Sequence, residues 1–170
     1  TASAAMRVGC VKVILAMPQP LLQSGLQLVP TATGIALPID DVGRLMPSAS
    51  VELLDTHASS SRCLAMGPGL GSGWASQQLV STLLSRADRP IVLDADGLNA
   101  LSQMEQGQLE IKAPVIMTPH IGEYQRLATA QGIQVDSSDV ENAAIALAQA
   151  YGCVVVLKSN LTVITDGVNT

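Results

Sequence analysis

Six short, continuously apolar runs constrain this chain more than any other feature: VKVILA (11–16), RCLAM (62–66), IVLD (91–94), PVIMT (114–118), CVVVLK (153–158) and TVIT (162–165). Because they do not alternate with polar residues, they read as strands covered on both faces. Helical patterns lie between them. In 73–87, Leu79, Val80, Leu83, Leu84 and Ala87 share one helical face. In 137–151, Val140, Ala144, Leu147 and Tyr151 repeat that stripe, and Ser138 with Glu141 forms a capping box. Strand and helix in alternation mean right-handed βαβ units and a mostly parallel sheet, the α/β class.

The stretch 17–60 is broken by Pro18, Pro20, Pro30, Pro38 and Pro47, and its pattern predicts a strand near 26–29 and a helix near 49–58. His57, beside SSSR, reads as a solvated surface histidine. Aromatics make up 2% of the chain and Phe is absent, so the core must come from Ala, Val, Ile and Leu. The same scarcity excludes base-stacking platforms, and a net charge of −5 leaves no basic footprint for nucleic acid. Cys10, Cys63 and Cys153 are odd in number and far apart, which predicts reduced, buried packing residues and a cytoplasmic setting. The longest apolar stretch, 143–157, is interrupted by Gln149 and Gly152 and is too short for a membrane span. Arg7 and Lys12 break the opening segment, which therefore does not read as a signal peptide. The chain begins inside a small-residue helix (ASAAMRVG) and stops just after a turn, so residues 1–170 are expected to be a single but partial domain.

In an open α/β sheet, ligands bind outside the carboxyl ends of the strands. The unusual residues of this chain fall there. GPGLGSG (67–73) follows the second apolar run, DADGLN (94–99) the third, TPHIGE (118–123) the fourth and KSNLT (158–162) the fifth. GPGLG permits close approach of a phosphate or sugar to the backbone. It is neither a Walker loop nor the dinucleotide fingerprint, because Ser72 stands where the third glycine would fall. Asp94 nevertheless ends the next strand about twenty residues on, where a ribose-binding acid stands in dinucleotide folds, which keeps an oxidoreductase reading open. Asp94 and Asp96, two apart, share a side if the segment is extended. They would then coordinate Mg²⁺ or bind a ligand hydroxyl, with Asn99 one turn away. The structural alternative is that Asp96 caps a helix starting at Gly97. Thr118 reads as a cap and Pro119 as a first helical residue, leaving His120 at the sheet edge without packing duty. Lys158 ends a buried valine run, so it either meets a phosphate or snorkels to solvent. No GxSxG elbow supports a hydrolase.

Taken in order, GPGLG (67–71), VLDADGLNAL (92–101), MTPHIGEYQRL (117–127) and VVVLKSNLTVITDG (154–167) resemble the ADP/ATP-dependent NAD(P)H-hydrate dehydratase family, carbohydrate-kinase-like proteins of the ribokinase superfamily. The opening ASAAMRVGCVKVILAMP is similar to that family as well. The resemblance implies a ribokinase-like three-layer α/β sandwich with a mostly parallel sheet. It implies a lyase that repairs hydrated NADH or NADPH: ADP or ATP, with Mg²⁺, phosphorylates the ring hydroxyl, and elimination of phosphate restores the cofactor. By the same resemblance, Gly69 and His120 contact the hydrated nicotinamide, while Asp94, Asp96 and Asn99 position substrate and nucleotide. Lys158, Ser159, Asn160, Leu161 and Thr162 bind the adenine nucleotide, where the family often carries KGAGT. The family's GSGD segment, with its catalytic aspartate, is expected beyond Thr170 and its first strand before Thr1. No catalytic residue is therefore expected within the chain, and the piece alone is expected to be inactive. A homo-oligomer and a fused or partner epimerase are expected as well, with no nucleic-acid or membrane partner. The alternatives are a non-catalytic nucleotide-binding ribokinase-like module and a small-molecule kinase.

Overall fold

After a short helix the chain forms a strand–helix–strand element, made possible by where its prolines and one glycine fall. The computed structural model describes residues 1–86, 88–105 and 109–170. They form two compact units, Thr1–Ser61 and Arg62–Thr170. The first contains α1 (Ala2–Arg7), β1 (Ile14–Pro18), α2 (Gln19–Leu28), β2 (Thr33–Leu37) and α3 (Pro47–His57). β1 and β2 pair in parallel, with α2 as the crossover. Pro20 lies in the first turn of α2, where its missing N–H costs nothing. The helix then runs through Leu28, so the strand expected at 26–29 is instead its last turn. The true strand, TGIAL, escaped notice because Gly34 interrupts its apolar run. A β-carbon at Gly34 would sit 3.0 Å from side-chain atoms of Leu22 and Leu26, so the glycine is what lets α2 lie close on β2. α3, with Pro47 at its start, matches the helix expected near 49–58, and His57 is exposed in its last turn.

The second unit comprises β3 (Leu64–Met66), α4 (Trp74–Leu84), β4 (Ile91–Leu93), α5 (Asp96–Ser102), β5 (Val115–Met117), α6 (Ile121–Gln131), α7 (Val140–Tyr151), β6 (Val154–Leu157) and β7 (Val163–Thr165). Its sheet runs β3-β4-β5-β6-β7, parallel except for β7, which returns antiparallel to β6 through a hairpin. α4 packs on α5, α5 on α6 and α6 on α7, which makes one helical layer. Its interface with the sheet holds the core: Val80, Leu84, Leu93, Leu98, Met117, Leu127, Leu147, Val155 and Leu157 are all fully buried. Alternate strand residues are less covered, with Val92, Val154 and Val156 half-buried and Ile116 exposed. Of the helical stripe expected over 73–87, Leu79, Val80, Leu83 and Leu84 are buried, and Ala87 lies outside the described residues.

Two local expectations are corrected. α7 is capped by Asp139, whose carboxylate accepts from the Asn142 N–H at 3.3 Å, in place of the Ser138–Glu141 box. Asp139 serves because it sits one residue nearer the helix start. Of the three free cysteines only Cys153 is buried, and burial pushes its thiol up to about 12; Cys10 and Cys63 are exposed. Among the described residues, no helix is long and apolar enough to cross a membrane.

The helical layer supplies a direct test of the core. Leu147 is 0% exposed. Truncating it in Leu147→Ala should cost about 2–5 kcal/mol, lowering the melting temperature by several degrees in a circular-dichroism melt. A melt unchanged within a degree would contradict the packing of α7.

Candidate functional site

The sheet hydrogen-bond ladder continues one residue past each strand tip. Asp94 N–H donates to Met66 O at 3.1 Å, Thr118 N–H to Leu93 O at 3.1 Å, and Lys158 N–H to Pro119 O at 2.7 Å. These bonds hold Asp94, Thr118 and Lys158 in register at one edge. Lys158 Nζ donates to Asp94 Oδ1 at 2.9 Å, with the two side chains 43% and 33% exposed. The lysine that the sequence reading matched to a phosphate is thus held by a carboxylate in this structure. Partial burial pushes the Asp94 carboxyl up, but hydrogen bonds from Lys158 and Thr118 and the lysine's charge outweigh it, leaving it below the ordinary carboxylate value.

Asp96 goes elsewhere. Gly67 has φ +127°, and a β-carbon on it would collide with the Asp94 carbonyl oxygen, so only glycine fits. Gly97 N–H donates to that carbonyl at 3.0 Å, closing a turn whose central residue, Ala95, has φ +50° and ψ −123°. Ala95 is the sole non-glycine residue with positive φ among those described, in a region that costs an L-residue about 1–3 kcal/mol. The segment is therefore not extended, and the two carboxylates do not act together as its sequence spacing implied. Asp96 becomes the first residue of α5 and makes no side-chain cap. Its Oδ2 accepts instead from Gly71 N–H at 2.9 Å, pinning the glycine loop. Ser76 Oγ, donating to Leu70 O at 3.2 Å, holds the same loop from α4. Gly69, at the exposed crest, faces open space.

His120, not Thr118, is the N-cap of α6, so Pro119 lies before the helix. Its Nδ1 accepts from Gly122 N–H at 3.0 Å and Glu123 N–H at 3.4 Å, while Glu123 Oε2 accepts from His120 N–H at 2.8 Å. This reciprocal pair gives His120 the structural duty that its position in the sequence concealed. The side chain is still 55% exposed, and its Nε2 lies 3.4 Å from Glu123 Oε1. Asn99 Oδ1 accepts from Arg126 Nε at 2.9 Å, joining α5 to α6. Arg126 was missed by the sequence reading, although its place four residues after Gly122 puts it on the helical face of that glycine.

In the β6–β7 hairpin, Asn160 Oδ1 accepts from Ser159 Oγ at 2.8 Å and from Leu161 N–H at 3.0 Å. The turn is thus closed by a side chain, and the Leu161 amide is occupied. Leu161 and Thr162 are exposed. Among the described residues, no group of three or more His, Cys, Asp or Glu side chains gathers into a metal cage.

The parallel sheet with helices between its strands and a glycine loop at its carboxyl edge defines a ribokinase-like α/β protein. A ribokinase-like superfamily protein from Enterococcus faecalis superposes with a TM-score of 0.70 at 22% identity, over 96% of this chain and 52% of that one. The carbohydrate-kinase family model described as NAD(P)H-hydrate dehydratase matches residues 1–169, and the chain belongs to that family. It is 35% identical over 167 residues to the bifunctional NAD(P)H-hydrate repair enzyme Nnr of Salinibacter ruber, covering 96% of this chain and 30% of that protein. The ADP/ATP-dependent NAD(P)H-hydrate dehydratase of Bacillus subtilis, co-crystallised with ATP/Mg²⁺ and soaked with CoA, has a TM-score of 0.69 at 26% identity over 99% of this chain and 56% of that one. The chain thus spans under a third of the Salinibacter protein and about half of the solved structures.

Because Asp94 is held below its ordinary value of 3.8, its contribution to stability is complete above that value and is lost as pH falls through the lowered one. Asp94→Asn should therefore melt below the wild type near neutrality. The gap should close as pH falls below the ordinary carboxylate value and through the lowered one, in melts run across the acid range. A gap that stays constant with pH would show that the ion pair is not its source.

Proposed function

We propose that the protein carrying this chain restores hydrated NADH and NADPH by nucleotide-dependent dehydration. The observation that carries the reading is the meeting of Lys158 and Asp94, 2.9 Å apart, at a sheet edge also reached by the open glycine loop and the His120 ring. That constellation in a member of this family supports binding of a phosphorylated ligand there. Similarity to the Salinibacter NAD(P)H-hydrate repair enzyme and the Bacillus NAD(P)H-hydrate dehydratase supports the substrate, and the ATP/Mg²⁺ co-crystal of the latter supports the nucleotide. The bifunctional character of the former supports a second activity in the whole protein, which we assign to an epimerase.

The residues fit an adenine nucleotide. Lys158 is a point charge that can exchange Asp94 for phosphate oxygens at little cost, since a solvent-reached pair is worth about 0–1 kcal/mol. Asn160 shapes the hairpin, while Thr162 offers an exposed hydroxyl. The nucleotide supplies the phosphoryl group that turns the ring hydroxyl of the substrate into a leaving group. Gly69 lets the substrate approach the backbone, and His120 donates from Nε2 while its Nδ1 stays on the helix. Asp96 and Asn99 act one step back, on the glycine loop and on Arg126. The residues do not fit a protein-held Mg²⁺, because Asp94 and Asp96 are bonded to Lys158 and Gly71. No step is assigned to the metal.

Two substitutions test the assignment in the full-length protein. Lys158→Ala should weaken ADP or ATP binding by about tenfold or more in titration calorimetry, the worth of a hydrogen bond to a charged group, and hydrated-cofactor binding far less. Equal losses for both ligands would sink the role given to Lys158. For His120 the informative variant is His120→Asn, because asparagine retains an N-cap acceptor whereas alanine forfeits about 0.5–2 kcal/mol of helix capping. His120→Asn should hold the melting temperature and weaken hydrated-cofactor binding by about two- to tenfold. A lowered melt with unchanged affinity would leave His120 as a cap alone.

A further inference from the structure

We infer that Arg126 is a phosphate-recognition residue for the dinucleotide substrate, its guanidinium aimed by Asn99. The inference rests on the dehydratase reading and adds a subsite to it. Arg126 lies four residues after Gly122, and helical side chains lean toward the N-terminus, so the guanidinium lies back over that glycine. A β-carbon at Gly122 would be 2.9 Å from His120 Cε1 and 3.8 Å from Arg126 Nη1. The imidazole and the guanidinium therefore flank one small gap at the head of α6.

The partner of Arg126 matters as much as its place. Arg44, Arg89, Lys112 and Lys158 each sit within ion-pair distance of a carboxylate. Arg126 is exposed and is held through Nε by the neutral amide of Asn99, with no carboxylate within ion-pair distance among the described residues. An aspartate at 99 would orient the guanidinium equally well but cancel its charge. An asparagine fixes the plane and leaves the charge, and both terminal nitrogens, for an incoming anion. Glu123, three residues before Arg126 on the same helix, is buried and faces His120: its Oε2 accepts from His120 N–H at 2.8 Å and its Oε1 lies 3.4 Å from Nε2. Hydrated NADH and NADPH both carry a diphosphate, and the latter a further phosphomonoester on the adenosine ribose. Either presents the oxygen pair that an arginine fork binds.

The experiment uses the full-length protein with hydrated NADH and hydrated NADPH as separate substrates, plus ATP titrations and thermal melts. Asn99→Asp preserves the bond between α5 and α6 while neutralising Arg126, so it should leave the melting temperature unchanged or higher. It should raise KM by about tenfold or more with kcat little altered, the pattern of lost uniform binding. Arg126→Met should raise KM similarly, and Arg126→Lys should recover part of the loss. A rise for both substrates identifies the diphosphate; a rise for hydrated NADPH alone identifies the extra phosphate. Unchanged KM in Asn99→Asp, with Arg126→Met merely less stable, would reduce the pair to a link between helices and overturn the inference. Weakened ATP binding with unchanged KM for both substrates would overturn it too. A wild-type protein that turns over neither hydrated cofactor defeats the dehydratase reading itself, which separates that failure from this one.

Discussion

The absence of a side chain at Gly67 lets two loops share one place. With no β-carbon there, the glycine loop lies against the Asp94 carbonyl and the Gly97 amide, a contact that any larger residue would force apart. The rest of the edge follows from that contact. The chain must turn sharply after Asp94, which puts Ala95 at positive φ and starts α5 at once. The turn separates two carboxylates that their spacing would have paired, sending Asp94 to Lys158 two strands away along the same sheet edge and Asp96 back to Gly71. Strain at one alanine is offset by the hydrogen bonds that converge around it, as expected where surrounding structure over-determines an unfavourable backbone conformation.

A consequence is that nearly every polar group at the edge already has a partner. Asp96 holds a loop, Asn99 holds an arginine, His120 holds a helix, and Asp94 holds a lysine. These bonds fix geometry before any ligand arrives, which lowers the ordering cost of binding. They differ in how readily they yield. The cap at His120 and the Asp96 bond hold backbone amides of a helix start and of the glycine loop, so losing either side chain loosens the backbone it fixes. The Lys158–Asp94 pair is solvent-reached, and water can take over for either partner. The edge is thus rigid where it supports the loops and exchangeable where charge must be redirected.

The strands were legible because a buried strand needs an apolar run, and six of the seven described strands showed one, all five of the second unit among them. β2 was not, since its packing depends on the absence of a side chain at Gly34, which hydrophobicity cannot report. The extended reading of DADGLN failed for a related reason. Nothing in that string announces that Ala95 will take a conformation more usual for glycine; the cause is Gly67, twenty-eight positions earlier. His120 was mistaken for a residue without structural work because histidine is an uncommon cap, and its imidazole accepts through Nδ1 what serine or aspartate would accept through oxygen. Arg126 was overlooked because its partner lies on another helix. The turn at Ala95 and the placing of Arg126 thus depend on contacts far away in sequence, whereas the His120 cap is local and was hidden by residue type alone.

Charge adds a final constraint on how such an edge attracts a polyanion. The chain carries a net charge of −5, and the cation at the sheet edge is offset by Asp94. Long-range attraction is therefore weak, and under the proposed function selectivity comes from short-range geometry: the open glycine loop, the exposed face of His120, and the Arg126 guanidinium left uncancelled by an amide partner. A ligand whose phosphates reach Lys158 releases Asp94, whose carboxylate then becomes free to accept a hydrogen bond from a hydroxyl or an ordered water. The same side chain that keeps the lysine in place without ligand thus gains a new partner when the ligand binds.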